Sequence, residues 1–286
     1  MSPSSKPNVR ESAIAGTWYP GSAPALRRAV EGYLDQVTPI TLPGRVLALI
    51  SPHAGYAYSG PTAAHAYVQV RGAPIRRVVL LGPLHRPIWG SRPGAFMTPT
   101  EDAYRTPLGD VPVDHDFIAQ LGARVTLTPV RGDEEHSLEI ELPFLQVALD
   151  AFTLAPIMLG EQIGDPGAAA RVDALAAALA ELADEDTLFV ASTDLSHLDN
   201  YADVVRIDRR LVDLVAAFDV DGLSAALRAG EVQACGATGL VAALKTAQKL
   251  GATGALVLAH TTSGDVTGDQ RPGAYCVGYL AAAAYR

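Results

Sequence analysis

Apolar and polar positions along the chain follow two periods. Runs of seven to ten mostly apolar residues stand at 45–51 (RVLALIS), 76–82 (RRVVLLG), 152–160 (FTLAPIMLG), 186–192 (DTLFVAS), 254–262 (GALVLAHTT) and 274–283 (AYCVGYLAAA). Between them lie segments with helical spacing at 22–36, 60–70, 114–121, 136–150, 166–184, 201–217, 220–229 and 236–250. Several of the short runs are continuously apolar instead of alternating, as in central strands covered by helices on both faces. Strands separated by helices predict an α/β fold, with a central mixed, largely parallel sheet and helices on both faces. The segment 92–113 breaks the pattern with GAFMTP, YRTP and GDVPVD, and predicts small antiparallel strands or loops at the sheet edge. No composition break divides the chain. Residues 1–286 are therefore expected to form a single domain, with 1–8 as a flexible tail.

Composition narrows the function classes. Of 286 residues, 49% are hydrophobic and 19% charged, which allows a substantial buried core. The net charge of −9 argues against general binding to nucleic acid or to an anionic membrane. Cys235 and Cys276 form neither a CxxC pair nor a disulfide framework, which points to a reducing compartment. The start, MSPSSKPNVRES, has no apolar signal-peptide core, and no apolar run reaches the ~18 residues of a membrane span. A cytoplasmic protein is expected.

Open α/β sheets present ligands at the carboxyl ends of their strands, so the residues after each apolar run are the informative ones. LALIS is followed by Pro52-His53, VVLLG by Pro83-Leu84-His85, and LFVAST by Asp194 with Leu195-Ser196-His197. Each side chain suits a divalent metal or acid–base work. Taken singly, each reads as well as a satisfied loop residue, and Asp194 as a helix N-cap. Three strand ends with the same kind of residue, in a chain of seven histidines, favour a converging site.

Two further segments bear on it. DEEHSLEIELPFL places His136 and Glu139 at i and i+3 near a helix start, hence on one face, where a glutamate orients an imidazole. It reads equally as an acidic helix start on the surface. VQACGATGLVAALK places Cys235 just ahead of a helix, where a thiol has a lowered pKa and serves as ligand or nucleophile. The other reading is a small buried hydrophobe, which fits Cys276 better.

The motifs RESAIAGTWYPGS, SPHAGYAYSG, LGPLH, YRTPLGD, DEEHSLEIELPFL, STDLSH and ACGATG occur in an order and spacing that resembles the Memo family, from about residue 8 to the C-terminus. Its prokaryotic members are called AmmeMemoRadiSam system protein B. The resemblance implies a fold similar to class III extradiol (LigB-type) dioxygenases. It implies an iron or copper site matching His53, His85 and Cys235, with Asp194 and His197 beside it and His136 and Glu139 near the same cleft. Zinc is an alternative, because a thiolate shifts metal preference toward copper(I) or zinc. The system name implies a radical-SAM protein and a small companion domain as partners.

Three functions follow as expectations. The first is a metal-binding, redox-related protein in which His53, His85 and Cys235 hold the metal while Asp194, His197, His136 and Glu139 do acid–base or orienting work. The second is a non-haem Fe(II) dioxygenase-like enzyme on a small aromatic substrate, with Tyr56 or Tyr58 lining the pocket. The third is a non-enzymatic module that holds a peptide or partner in a vestigial cleft.

Overall fold

The continuously apolar runs become neighbouring strands of one sheet. A computed structural model describes residues 8–86, 88 and 94–286. Of the tail expected over 1–8, only Asn8 falls within them, and residues 92 and 93 of the irregular segment lie outside them. In chain order the strands are β1 (Val9–Arg10), β2 (Val46–Ser51), β3 (Arg77–Pro83), β4 (Phe96–Pro99), β5 (Ala103–Thr106), β6 (Gly109–Pro112), β7 (Leu127–Val130), β8 (Thr153–Leu159), β9 (Thr187–Ser192), β10 (His197–Leu198), β11 (Gly254–Thr262) and β12 (Cys276–Tyr285). The helices are α1 (Ala23–Asp35), α2 (Tyr56–Tyr67), α3 (His115–Gly122), α4 (His136–Glu139), α5 (Leu142–Ala148), α6 (Ala168–Leu182), α7 (Tyr201–Ala216), α8 (Val220–Ala229), α9 (Ala237–Lys249) and α10 (Ser263–Thr267).

Among the described residues, nine strands form the central sheet, eight of them in the order β10-β12-β2-β9-β3-β8-β4-β7 and the ninth, β11, paired antiparallel with β12. The pairs β2–β9, β9–β3 and β3–β8 are parallel, whereas β12 and β4 run antiparallel to their neighbours β2 and β8. The sheet is mixed, with a parallel centre, as the apolar runs predicted.

Alternate side chains of each central strand feed two different cores. Val78 and Leu80 of β3 pack with α1, α2 and α5 on one face. Val79 and Leu81 pack with α6, α8 and α9 on the other. Both sets are fully buried, so neither face selects for polar residues and the strand reads as unbroken apolar sequence.

Two expectations are refined. The helix expected over 136–150 is two helices, α4 and α5, because Pro143 near the start of α5 lacks the N–H that would continue α4. The segment around 92–113 divides its strands. β4 extends the central sheet, while β5 and β6 form a hairpin that pairs with β1 in a separate three-stranded sheet. No helix among the described residues is long and apolar enough to cross a membrane.

Candidate metal centre

The topology places β2, β9 and β3 side by side and parallel, so their carboxyl ends open on the same edge. His53 follows β2, Asp194 follows β9 and His85 follows β3. The histidine rings stand edge to face with centroids 5.1 Å apart. Asp194 Oδ1 accepts the backbone N–H of His53 at 2.8 Å, which ties two of the strand ends together.

The third ring is His136, at the first position of α4. Its centroid lies 4.6 Å from that of His85 and 5.5 Å from that of His53. This helix reaches β3 because Gly82 has no side chain: a Cβ there would lie 2.7 Å from both Ser137 Oγ and Leu138 Cδ2. The Ser137 hydroxyl then donates to the Pro83 carbonyl at 2.8 Å. His53, His85 and His136 can each offer a ring nitrogen to a metal ion, with the three nitrogens within 4.8 Å of one another.

Hydrogen bonds fix two of the rings for that task. The Ser192 hydroxyl donates to the Ser137 carbonyl at 2.6 Å, so its oxygen is free to accept Nδ1–H of His53 at 2.8 Å. Glu135 Oε1 accepts Nδ1–H of His85 at 3.0 Å. In both rings Nε2 is left with its lone pair, the form that binds metal. Nδ1 of His136 is buried without a hydrogen-bond partner, although Glu135 Oε1 lies 3.2 Å away in a direction unsuited to a bond. Three converging imidazoles, one with an orphaned buried nitrogen, fit a first-row transition metal.

The carboxylate of Glu135 is the hub of this arrangement. It also accepts the backbone N–H groups of His85, His136 and Ser137 at 2.6, 2.9 and 3.0 Å. Burial opposes its ionisation, yet the donors from His85 and Ser137 hold it down at about 2. Burial and the neighbouring His85 push His136 down to about 4, so that ring is neutral at physiological pH. Burial also drives His53 well below its ordinary value.

Cys235 joins the triangle at one corner, with Sγ 3.1 Å from His53 Nε2. Its own backbone N–H bonds the Asp194 carbonyl at 3.1 Å, and Sγ accepts the Asp194 N–H at 3.2 Å. The lowered thiol pKa expected at the start of α9 is not found. Burial and then the nearby Asp194 carboxylate push the thiol up, which outweighs the helix end. Cys276 is fully buried in β12, away from the cleft. Asp194 itself is pushed up to about 7 by burial, against the hydrogen bonds that favour its charge.

Glu139 does not orient His136. Its carboxylate faces the N-terminal segment, where it pairs with Arg10 and accepts from Ala13 N–H at 2.9 Å and Tyr19 OH at 2.6 Å. The orienting role expected of it falls instead to Glu135, and it is directed at His85. What Glu139 holds in place is a wall of the site: Trp18 lies 4.4 Å, centroid to centroid, from His136.

The cleft above the histidines has a volume of about 800 Å³, with Trp18, Tyr58, Tyr275 and Tyr279 on its walls. His197 also lines it, and its Nδ1 lies 2.8 Å from Tyr275 OH. Tyr58 is on the cleft, as expected for one of the two tyrosines. Tyr56 is buried beneath it and donates to the Ile140 carbonyl at 2.8 Å. Sequence reasoning passed over Glu135, Ser192, Trp18 and Tyr275. Glu135 had one available signal, its place immediately before His136 as the residue that caps α4.

Comparison with known proteins identifies the family of this chain. A MEMO1 family protein of Methanopyrus kandleri is 34% identical over 291 residues, covering 95% of this chain and 97% of that protein. One from Methanothermobacter thermautotrophicus is 34% identical, covering 92% and 96%. One from Saccharolobus solfataricus is 33% identical, covering 94% and 97%. The family model described as Memo-like protein matches residues 10–283, from the arginine that anchors the N-terminal wall to the last strand of the sheet, and the chain belongs to that family.

Proposed function

We propose that this Memo-family chain is a metal-binding protein of redox character, with iron or copper held by His53, His85 and His136. The observation that carries the reading is the triangle of ring nitrogens within 4.8 Å, two of them turned inward by hydrogen bonds on the opposite ring atom. Cys235 stands ready as a further ligand, since a bound cation strips the proton from a neighbouring thiol. A thiol at that corner favours copper(I), and an all-imidazole set suits iron or copper equally. The metal would supply Lewis acidity and a one-electron couple; the chain's own groups bind, orient and exclude water. Metal analysis of protein purified without oxygen tests the proposal. Iron or copper at about one per chain is expected, lost in a His53→Ala/His85→Ala double variant. An unchanged metal content in that variant refutes it.

One observation favours a second reading, a dioxygenase-like activity on a small aromatic molecule. The cleft of about 800 Å³ has aromatic walls, and the His197–Tyr275 pair lines it together with the histidines. In that reading His197 moves a proton to or from the substrate while Tyr275 holds its ring by Nδ1. Oxygen uptake with Fe(II)-loaded protein and a panel of catechols tests it, with loss of the signal in His197→Ala as the expected control.

A further inference from the structure

Glu141 is buried at 1% exposure, does not line the cleft, and has no part in the chemistry above. Its Oε2 accepts from Tyr67 OH at 2.7 Å and from Ser51 Oγ at 2.9 Å. Its Oε1 is buried with no hydrogen-bond partner. The groups that face it are Tyr56 and Tyr67 of α2, Ser51 of β2, Ser192 of β9, Asp194 after that strand and, behind Tyr56, Glu139 of α4. No Lys, Arg or His forms an ion pair with it among the described residues. An unpaired carboxylate in such a place is costly, and the group responds by keeping its proton. Burial indeed pushes Glu141 up to about 8, against the hydroxyls of Tyr67 and Ser51 that donate to it.

Position makes this acid relevant to the metal centre. Ser51 is the last residue of β2, two before His53, and Ser192 is the hydroxyl that accepts His53 Nδ1–H at 2.8 Å. Glu141 therefore sits one layer behind the histidine triangle, on the hydroxyls that border His53. The three imidazoles themselves bring no negative charge to a dication, and the charge of Glu135 is already met by four hydrogen bonds from His85, His136 and Ser137. A cation in the triangle raises the local positive potential, which favours ionisation of any neutral acid nearby.

We infer that Glu141 is the proton reservoir of the metal centre: a neutral carboxylic acid without the cation, it releases its proton to solvent when His53, His85 and His136 hold a divalent one. The resulting carboxylate balances part of the added charge. No bond other than the O–H changes and no electron moves, so the step needs no co-reactant. The inference rests on the metal-binding reading of the site.

Calorimetric titration of the full chain, stripped of metal, with Zn²⁺ in buffers of different ionisation enthalpy counts the protons released per cation. At pH 6.5 wild type is expected to release about one proton more than Glu141→Gln, and at pH 8.5, where Glu141 has already ionised, that difference shrinks to a small fraction. Equal release by the two proteins at pH 6.5, with both binding Zn²⁺, overturns the inference and leaves the metal reading intact. Failure of wild type to bind Zn²⁺ at all overturns this inference, while the iron or copper reading is decided separately by the metal content of the His53→Ala/His85→Ala variant. If Glu141→Gln does not fold, Ser51→Ala serves: loss of one donor to the carboxylate moves the pH window of the extra proton upward, and an unmoved window overturns the inference.

Discussion

Glu135 Oε1 lies 3.0 Å from Nδ1 of His85, and the same carboxylate receives the backbone N–H of His85 at 2.6 Å. One side chain thus fixes both the position and the tautomer of a ring that follows a different strand. Second partners of this kind tune metal affinity by ~10–100-fold. Glu135→Gln keeps the shape but can present an amide N–H to Nδ1, which turns the wrong ring nitrogen outward. Its affinity for Zn²⁺ is expected to fall by about 10–100-fold, measured by competition with a chelator. An affinity within twofold of wild type would show that the hydrogen bond does not govern the site.

The pH dependence of stability carries two opposite signs. Glu135 has its value lowered from 4.5 to about 2, so its contribution is present above pH 4.5 and is lost as pH falls toward 2. Glu141 has its value raised from 4.5 to about 8, so its contribution is present below pH 4.5 and is lost as pH rises toward 8. Glu141→Gln removes the second effect alone. The stability of this variant relative to wild type is expected to rise between pH 5 and pH 8, measured by urea denaturation of the metal-free proteins. A constant difference across that range would mean that Glu141 ionises in the fold as it does in the unfolded chain.

His53, His85 and Asp194 were legible in the sequence because each follows an apolar run, and a parallel sheet gathers its ligands at strand ends. The run itself does not say which strands are neighbours. The order β2-β9-β3, which brings the three together, depends on long crossovers that leave no local mark. Glu135 was hidden for a different reason: within GDEEHS it looks like ordinary acidic enrichment at a helix start. Glu139 was misassigned because helical spacing from His136 is a local rule, while the group that claims its carboxylate, Arg10, lies 129 residues upstream. The lowered pKa expected for Cys235 rested on its helix end, and burial beside Asp194 reverses the sign.

Arg10 is the tie that holds the N-terminal segment against the site. Besides its pair with Glu139, it donates to Asp133 Oδ1 at 3.1 Å and to the Glu135 carbonyl at 2.7 Å, all buried. Arg10→Ala leaves two carboxylates buried without their cation, a defect that costs about 3–5 kcal/mol. A loss of that size in denaturant unfolding is expected, with a change in Trp18 fluorescence as its wall loosens. A loss below 1 kcal/mol would mean that the carboxylates are protonated or hydrated without it.

Gly236 is the reason Cys235 can reach His53. A Cβ at this position would lie 2.5 Å from the Ser192 carbonyl oxygen and 2.7 Å from Thr193 Cβ. Its backbone φ of −94° is open to any residue, so the constraint is contact with β9 and the loop after it. Gly236→Ala must push the start of α9 away from Ser192, and Cys235, one residue earlier, moves with it. Overpacking of this kind costs about 1–3 kcal/mol, a drop expected in thermal or denaturant unfolding. The second consequence concerns the thiol. In wild type, burial and Asp194 keep Cys235 protonated against His53 Nε2 and slow to react. Displaced toward solvent it ionises more readily, so alkylation of Cys235 in folded metal-free protein is expected to accelerate about tenfold or more, one unit of pKa being a factor of ten in thiolate. Cys276 stays buried and unreactive in both proteins and serves as the internal reference. An unchanged alkylation rate in a destabilised Gly236→Ala protein would show that the thiol holds its place against His53 independently of the helix that follows it.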